Sequence, residues 1–491
     1  LNINTVIDHL NKEYGYDLSA SFYEYITEWQ YWWKGYYKPF HHYQERGYDG
    51  KLIDRKLYTL KMAKKICEDW ASILLNEKTE IVISDKNSSE FVLGKKDDEN
   101  DGGVLGENDF SVHGNELIEK AFYSGTGAFV LRLDNMKVVG ERIMKDTDTR
   151  IRIEYLSALN IIPMTIKHNR VIDVAFVSEV LQKGEKFIYI ETHNLESDSY
   201  IIRNKYFKEE ESTLKEMPLP EGILEEFNTG SSIPLFAIIR PNIVNNIDES
   251  NGLGISVYAN AIDNLEGVDL AYNNFNRDFK LGGKKVFLNE ELTQTDSNGI
   301  TLTPDDVAQQ LFVGVGDNLI DENGKNNMIH EFNPALRVVE NKDGIQGQLD
   351  YLSFKCGLGT KHYQFNAGNV VTATQYMGDK QELIQNASKH YIVVNYALKS
   401  LIRSILWIGQ DVIGAPVKAD TTISIKFDDS YIIDKESERL RDMQELNAGI
   451  MQKWEYRMKW YGEDEATAKK MAAAQISDDE LMDFKDEEDE E

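Results

Sequence analysis

Apolar residues recur along this chain at two spacings, and the change from one to the other divides it. In residues 57–75, Leu57, Leu60, Ala63, Cys67, Trp70, Ala71 and Leu74 fall three and four apart, one face of a helix. With the aromatic-rich run at 22–43, punctuated by Gly35 and Pro39, this predicts that the first 80 residues are helical. From 78 to about 240 the pattern turns to alternation. EIVISD, FVLG, GAFVLRLD, RIRIEYL, RVIDVAFVSEV, KFIYIETH and SYIIRNKYF read as strands between turn-rich loops, with one helix over 115–124. Together these make an α+β unit.

The alternation ends at Pro241. Residues 255–281, carrying Ile262, Leu265, Val268, Leu270 and Phe275, predict a helix. A strand-and-turn insertion rich in Asp, Asn and Gly follows over 284–339. Helix resumes near 344 and ends near 363. A short loop, 364–372, leads into a long helix over 373–413, its core face marked by Leu383, Ile384, Ala387, Tyr391, Val394, Leu398, Leu401, Ile402 and Ile405. The most apolar part of that helix is broken by Arg403, Gln410 and Asp411, too soon for a bilayer span. After the strand TTISIKFDDS, a helical pair is expected over about 435–474, turning at Gly462 and Glu463. No internal repeat is visible.

Length and charge sharpen this picture. The chain has 491 residues, while single cores stop growing at roughly 250–300 residues, so two or more packing units are expected. Acidic residues number 83 against 54 basic ones, a formal charge of −29, and the pI is near 4.8. Proteins that grip nucleic acid by neutralising phosphates carry basic surface. The balance here argues against tight, static DNA binding while leaving contact with DNA open. An acidic wall lets a polyanion pass, because no counterions are released to hold it. The last 15 residues, SDDELMDFKDEEDEE, set ten acids against Lys485 alone and read as a disordered, self-repelling tail.

Residues 22–43 hold eleven aromatics. A base-stacking platform needs a basic frame, and only Lys34 and Lys38 supply one, so buried interface is the better reading. Cys67 and Cys356 lie in apolar-periodic segments and read as small buried hydrophobes, and the absence of C-x-x-C removes zinc and redox readings. The first residues lack the basic and apolar regions of a signal peptide, which points to a soluble protein made in a reducing cytoplasm.

Chemistry-bearing motifs are missing. GGKKV, DGKLI and NGKNN lack the Ser or Thr of a phosphate-binding loop, so if the protein moves DNA, another protein burns the ATP. SGTGAF, at 124–129, lies between a helix and a strand, the reverse of the dinucleotide order, and reads as a turn. The acidic run before Gly102 resembles the start of a calcium loop, but Asn108 stands where a bidentate Glu is required. His41 and His42 have no visible third ligand and read as a packed or hydrogen-bonded pair. Nothing argues for catalysis, a metal or a cofactor.

What carries the reading further is a series of strings in order along almost the whole chain. EWQYWWKGYYKPFHHYQERG, KLYTLKMAKKICEDWASILLNEKTEI and AFYSGTGAFVLRLD come first. PLFAIIRPNIVNNIDESNGLGISVYANAIDNLEGVDLAYNNFNRDFKLG, LDYLSFKCGLGTKHYQF with NVVTATQ, and FDDSYIIDKESERLRDMQELNAGIMQKWEYRMKWYGEDEATAKKM follow. Their joint order resembles the portal proteins of long-tailed phages of Gram-positive bacteria. The resemblance implies a ring, typically of twelve subunits, each with a mixed α/β wing (1–251) and a two-helix stem (252–283 and 344–363). It implies a small clip insertion (284–343), a tunnel loop (364–372), a long kinked wing helix with a strand (373–433) and a helical crown (434–476), before the acidic tail (477–491).

By the same resemblance the ring is the channel for DNA packaging and ejection at the portal vertex of the virion, assembled in the host cytoplasm and without a membrane. The implied partners are double-stranded DNA, the terminase large subunit, a head-completion adaptor for head–tail joining, and the major capsid and scaffolding proteins. The tunnel loop places Asn366, Gly368, Asn369, Val370, Val371 and Thr372 against DNA: neutral, small residues that touch a duplex without the grip of Lys or Arg. An ordinary interhelix loop is the plainer alternative. Asp263, Glu266, Asp269 and Asp350 are candidates to line the channel, or equally to face solvent or pair with a neighbour's Lys. Lys284 and Lys285 are candidates for docking at the clip. The rival classes are another head or tail-completion protein without a channel, and an enzyme acting on glycans or nucleic acid.

Overall fold

The computed structural model describes residues 2–46, 50–95, 102–139, 142–182, 184–210, 213–289, 312–315, 329–364, 373–427 and 435–473. The chain forms two units, Leu1–Asn366 with Asn386–Lys426, and Ala367–Gln385 with Phe427–Glu491. The expected acidic tail lies outside the described residues.

In the first unit, α1 (Ile3–Tyr14) buries Val6, Ile7 and Leu10, and α2 (Phe22–Trp33) buries Phe22, Tyr23, Ile26, Trp29 and Trp32. The aromatic run therefore builds core: Trp29 meets Phe22 edge-on at 5.9 Å and Trp33 stacks on Tyr123 at 4.7 Å. After α3 (Lys38–His41) the chain departs from the all-helical expectation. Strands β1 (His42–Arg46) and β2 (Leu52–Lys56) form an antiparallel hairpin. Every residue of β2 is exposed, so there was no buried face for periodicity to report. Helix α4 (Met62–Leu74) starts after Leu57 and Leu60, because Lys61 adopts a left-handed conformation, φ 55°.

Strand β3 (Glu80–Ile83) precedes α5 (Lys86–Leu93), which contains the FVL expected as strand. Asp85 caps it, accepting the Ser88 N–H at 3.1 Å, and this local cap wins over the β propensity of Phe-Val. After α6 (Gly103–Glu107), helix α7 (Phe110–Ser124) begins ahead of residue 115, since Phe110 and Gly114 are part of its buried face. It ends at Gly125, φ 81°, where a Cβ would stand 2.3 Å from the Gly254 carbonyl oxygen. SGTGAF is thus a helix-to-strand turn.

The strands that follow are β4 (Gly127–Asp134), β5 (Val138–Val139), β6 (Arg142–Ile143), β7 (Arg150–Ser157), β8 (Ile161–Lys167), β9 (Arg170–Gln182), β10 (Glu185–Glu196), β11 (Ser199–Glu210), β12 (Thr213–Met217), β13 (Glu226–Asn228) and β14 (Phe236–Ile239). One sheet runs β14-β4-β7. The other runs β5-β6-β13-β11-β10-β9-β8, with β12 on β11. Ala128, Val130 and Phe236 of the first sheet meet Ile161, Val174, Phe176 and Tyr200 of the second in one buried cluster. Two sheets sharing an apolar layer are what alternating strands demand.

Helix α8 (Ile262–Leu281) starts later than 255, because buried Ile255 lies in irregular chain, buried Val257 and Tyr258 form a turn, and Ala259–Ala261 make a 3-10 turn ahead of it. The Val257 N–H bonds the Phe122 carbonyl at 2.9 Å, and the Tyr258 hydroxyl donates to the Trp29 carbonyl at 2.7 Å. Strands β15 (Lys285–Asn289), β16 (Phe312–Val315) and β17 (Ile329–Phe332) lead to α9 (Val338–Lys355). That helix begins and ends earlier than 344–363; Gly357 and Gly359, both at positive φ, stop it.

Helix α10 (Ala373–Trp407) continues into a π-helical turn, Ile408–Ile413. Contrary to expectation, Lys380–Ile413 is long and apolar enough by length and composition to cross a membrane, but most of its apolar window is buried in the protein. In the first unit it buries Ala387, Val394, Leu398, Leu401, Ile402 and Ile405, as a core helix does. Strand β18 (Ile423–Lys426) pairs antiparallel with β3.

His390 of α10 is wedged edge-on against Trp70 (4.8 Å) and Phe122 (5.1 Å), and its Nδ1 accepts the Asn242 N–H at 3.1 Å. Burial, with Lys389 adding its charge, lowers its pKa from 6.5 to about 3. The unfolded chain therefore binds a proton near pH 6.5 that the folded chain refuses until about pH 3. This contribution is whole above pH 6.5 and is lost as pH falls. At pH 5 the expected loss is about 2 kcal/mol relative to neutral pH. Urea unfolding of His390→Gln between neutral pH and pH 5 should show that slope removed. An unchanged slope would rule His390 out as its source.

In the second unit, α11 (Lys435–Asn447) and α12 (Lys453–Tyr461) are followed by a further helix over 465–473, so the expected helical pair is three helices. The chain turns at Gly449 (φ 71°) as well as at Gly462 (φ 67°), and Gln452 with Glu455 makes a capping box. Asp442, 2% exposed, accepts from Trp460 Nε1 at 2.9 Å and pairs with Lys459 at 2.6 Å, tying α11 to α12.

Candidate functional site

Helices α8 and α9 lie antiparallel. Asp278 of α8 meets Asn341 of α9, and Gly267 admits the side chain of Gln348, so numbers fall along one helix as they rise along the other. The chain leaves and returns at one end of this hairpin. There the Arg337 Nη2 donates to both Asp278 oxygens at 3.0 Å, and Asn341 adds a bond of 2.7 Å. Those bonds, Asn341 first and Arg337 next, hold the Asp278 carboxyl below its ordinary range. Beyond the neck, β15 is the centre of a small sheet, parallel to β16 and antiparallel to β17. Lys284, at its root, pairs with Glu331 at 2.6 Å. The side chain of Lys285 lies outside the described residues.

Further along α8 the helix is clamped to the N-terminal elements. Asp269 Oδ2 lies 3.0 Å from His41 Nε2, and Oδ1 accepts the Leu60 N–H at 2.7 Å. One turn on, Asn273 accepts the Tyr58 N–H at 3.3 Å. Asp269 is 4% exposed and His41 0%. The expectation that Asp269 lines a channel is therefore corrected: a carboxylate spent on two internal donors is a clamp inside the subunit. His41 is a hydrogen-bonded core residue ringed by Trp32, Tyr36 and Phe40.

The other candidate acids are differently placed. Asp263 is exposed. Glu266 is half-buried, and its carboxyl is pushed up by burial, then by Asp263 and Glu28. Asp350 of α9 is half-buried and accepts from Gln346 at 2.8 Å. The hairpin also leaves large apolar side chains exposed: Leu270 (44%) and Phe279 (49%) on α8, and Val339 (67%), Tyr351 (66%) and Phe354 (50%) on α9.

After α9 the chain is pinned before it reaches 365–372. Trp70 Nε1 donates to the Cys356 carbonyl at 3.2 Å, Asn386 to that of Gly357 at 3.0 Å, and the Tyr363 hydroxyl to Asp69 at 2.8 Å. Burial raises the Asp69 pKa, but bonds from His362, Lys65 and Tyr363 outweigh it and bring it below the usual value. Cys67 and Cys356 are free and buried, and burial pushes both thiols up. Asn366, Gly368, Asn369, Val370, Val371 and Thr372 lie outside the described residues, so only the anchor leading to them is seen. Sequence reasoning missed this anchor and the His41–Asp269 clamp, because the partners are 286 and 228 residues apart.

Elsewhere a cleft of about 620 Å³ between the two sheets is floored by Arg132, Glu191, Tyr189 and Asn204. Arg132 lies 2.8 Å from Glu191 and also pairs with Glu154. Burial would raise the Glu191 carboxyl, yet Arg132 and His193 hold it at about 2. A carboxylate so firmly ionised makes a poor general acid or base. Among the described residues no group of three or more His, Cys, Asp or Glu is placed to hold a metal ion.

The chain is thus a folded α+β body carrying a helix hairpin, with a small β lobe borne on that hairpin. A family model described as phage portal protein, SPP1 Gp6-like, matches residues 17–481, nearly the whole chain. The chain belongs to that family. The family is structural rather than enzymatic, and the role that follows is that of a capsid-associated ring at a vertex of the virion, with DNA passing through it. No curated protein matches the chain.

Proposed function

We propose that this chain is the portal subunit of a long-tailed phage of a Gram-positive host, assembling typically as a twelve-membered ring. Residues 1–251 with 373–433 form the wing, 252–283 and 344–363, mostly within α8 and α9, the stem, 284–343 the clip and 434–476 the crown. The clip engages the terminase large subunit during packaging and the head-completion adaptor afterwards, with Lys284 and Lys285 at its root as candidate docking cations. Major capsid and scaffolding proteins surround the ring during assembly in the host cytoplasm. The observation that carries this reading is the antiparallel α8–α9 hairpin, clamped at Asp269, locked at Asp278 and bearing the inserted lobe at its end. Exposed Leu270, Phe279, Tyr351 and Phe354 support it, because apolar residues on a helix pair call for cover by a neighbour.

In this reading Asp263, Glu266 and Asp350 face the channel or a neighbour, and 364–372 forms the constriction. Particle imaging and mass measurement of the purified full chain test it. Rings with an axial hole are expected, and monomers under every assembly condition, or particles with no opening, would count against it. For the loop, replacing Asn369 and Val370 by Lys adds charges that grip phosphate, so DNA packaging should slow or stall in a packaging assay. Unchanged packaging removes the loop from the mechanism.

A further inference from the structure

The stretch of α10 from 386 to 407, NASKHYIVVNYALKSLIRSILW, contains no Asp or Glu, in a chain that has 83 of them. Its inner face is core. Its outer face presents Lys389, Ile392 (65% exposed), Tyr396 (56% exposed), Lys399 and Arg403. The Arg170 guanidinium lies 5.4 Å over the Tyr396 ring and adds a fourth cation. Some surface cations elsewhere, such as Lys64, Arg203 and Arg457, are paired with carboxylates. Arg170, Lys389, Lys399 and Arg403 have no ion-pair partner among the described residues.

Lys399 and Arg403 also border a cleft of about 480 Å³ whose lining includes Ser232, Ser400, Thr421 and Thr422. The Ser404 hydroxyl is already committed to the Pro234 and Ser400 carbonyls, at 2.8 and 2.9 Å. Asp420 is the one acid in the lining, against two cations, and Lys418 lies near enough to feel its charge.

We infer that this outer stripe of α10, with the cleft beside it, is a binding site for the phosphate groups of double-stranded DNA. An ammonium and a guanidinium one helical turn apart, about 6 Å, beside the hydroxyls of Ser232, Ser400 and Thr422, match a phosphodiester, whose oxygens accept from all of them. The chain's net charge repels polyanions at long range, so the site acts only at contact and holds DNA weakly. The inference rests on the portal reading in one respect: DNA is the polyanion the ring meets. It is separate from the loop and the helix hairpin.

The test is binding of a short labelled duplex, by fluorescence anisotropy, to assembled full-length protein as salt rises from about 50 to about 200 mM. Four contacts predict a log–log salt slope of about −3.6, and Lys399→Gln with Arg403→Gln should flatten it by about 1.8. At low salt the double variant should bind at least about tenfold more weakly, two charge-assisted bonds being lost. A control, Lys208→Gln with Lys215→Gln, changes lysines paired with Glu185 and Glu210 and should behave as wild type. The inference is overturned if the double variant matches wild type or the control loses as much. It is overturned as well if inorganic phosphate alone binds while the duplex does not (a small-anion site), or if polyglutamate displaces the duplex at lower concentration (a protein partner's site). Rings that assemble but show no stripe-dependent binding would sink this inference and leave the portal reading standing. Protein that never forms rings yet binds the duplex through the stripe would do the reverse.

Discussion

Asp269→Ala should cost roughly 2–5 kcal/mol of stability, because it removes a buried acceptor and leaves two buried donors stranded. The Leu60 N–H and the His41 Nε2 would both lose their acceptor in a site that is closed to solvent. His41 Nδ1 already sits 2.9 Å from the Tyr37 amide nitrogen and 3.0 Å from its carbonyl oxygen, so the ring has little room to turn elsewhere. Asp269→Asn should be milder. Its oxygen can still accept from Leu60, and its amide can donate to the other tautomer of His41, whose Nδ1–H then serves the Tyr37 carbonyl. Chemical denaturation of both variants decides the matter. If the alanine variant is as stable as wild type, Asp269 is not a clamp and its assignment to the channel wall returns.

Trp70→Ala is expected to be comparably damaging, about 3–5 kcal/mol for emptying a buried Trp site. The residue is 0% exposed, tilts against Phe122 at 5.9 Å and meets His390 edge-on. Its indole N–H also holds the Cys356 carbonyl, where the chain turns out of α9 toward 365–372. Trp70→Phe separates the two roles. It keeps most of the ring contact and loses the hydrogen bond, so a loss of only about 1–3 kcal/mol is expected. Packaging by particles built from the Phe variant should fall further than that stability loss explains, if the anchor sets the loop's position. A Phe variant with wild-type packaging would make Trp70 a core residue and nothing more.

The candidate site was only partly legible in the sequence. Asp263, Glu266, Asp269 and Asp350 look alike as letters, all acids on predicted helices. The fold separates them: exposed Asp263, half-buried Glu266 and Asp350, and Asp269 turned inward onto His41 and Leu60. What distinguished them lay on α3 and just ahead of α4, more than 200 residues away, where no local pattern reaches. The cation stripe of α10 was overlooked for a related reason. Its cations are spread through an apolar helix, and their lack of partners is a statement about neighbouring elements.

Elements with a regular buried face were readable from periodicity alone. β7 and β11 alternate because one side of each faces an apolar layer, β4, β9 and β10 carry runs buried on both sides, and α10 repeats at three and four because one side of it is core. The sequence likewise determined the helix–strand turn at Gly125 and the family, whose ordered strings extend over nearly all of the chain. Only the tertiary structure decided the exposed β1–β2 hairpin, the buried irregular run before α8, the boundaries of α9 and the inward turn of Asp269. Each of these is fixed by partners distant in the chain or by backbone strain at one or two residues, and neither leaves a repeating mark in the order of amino acids.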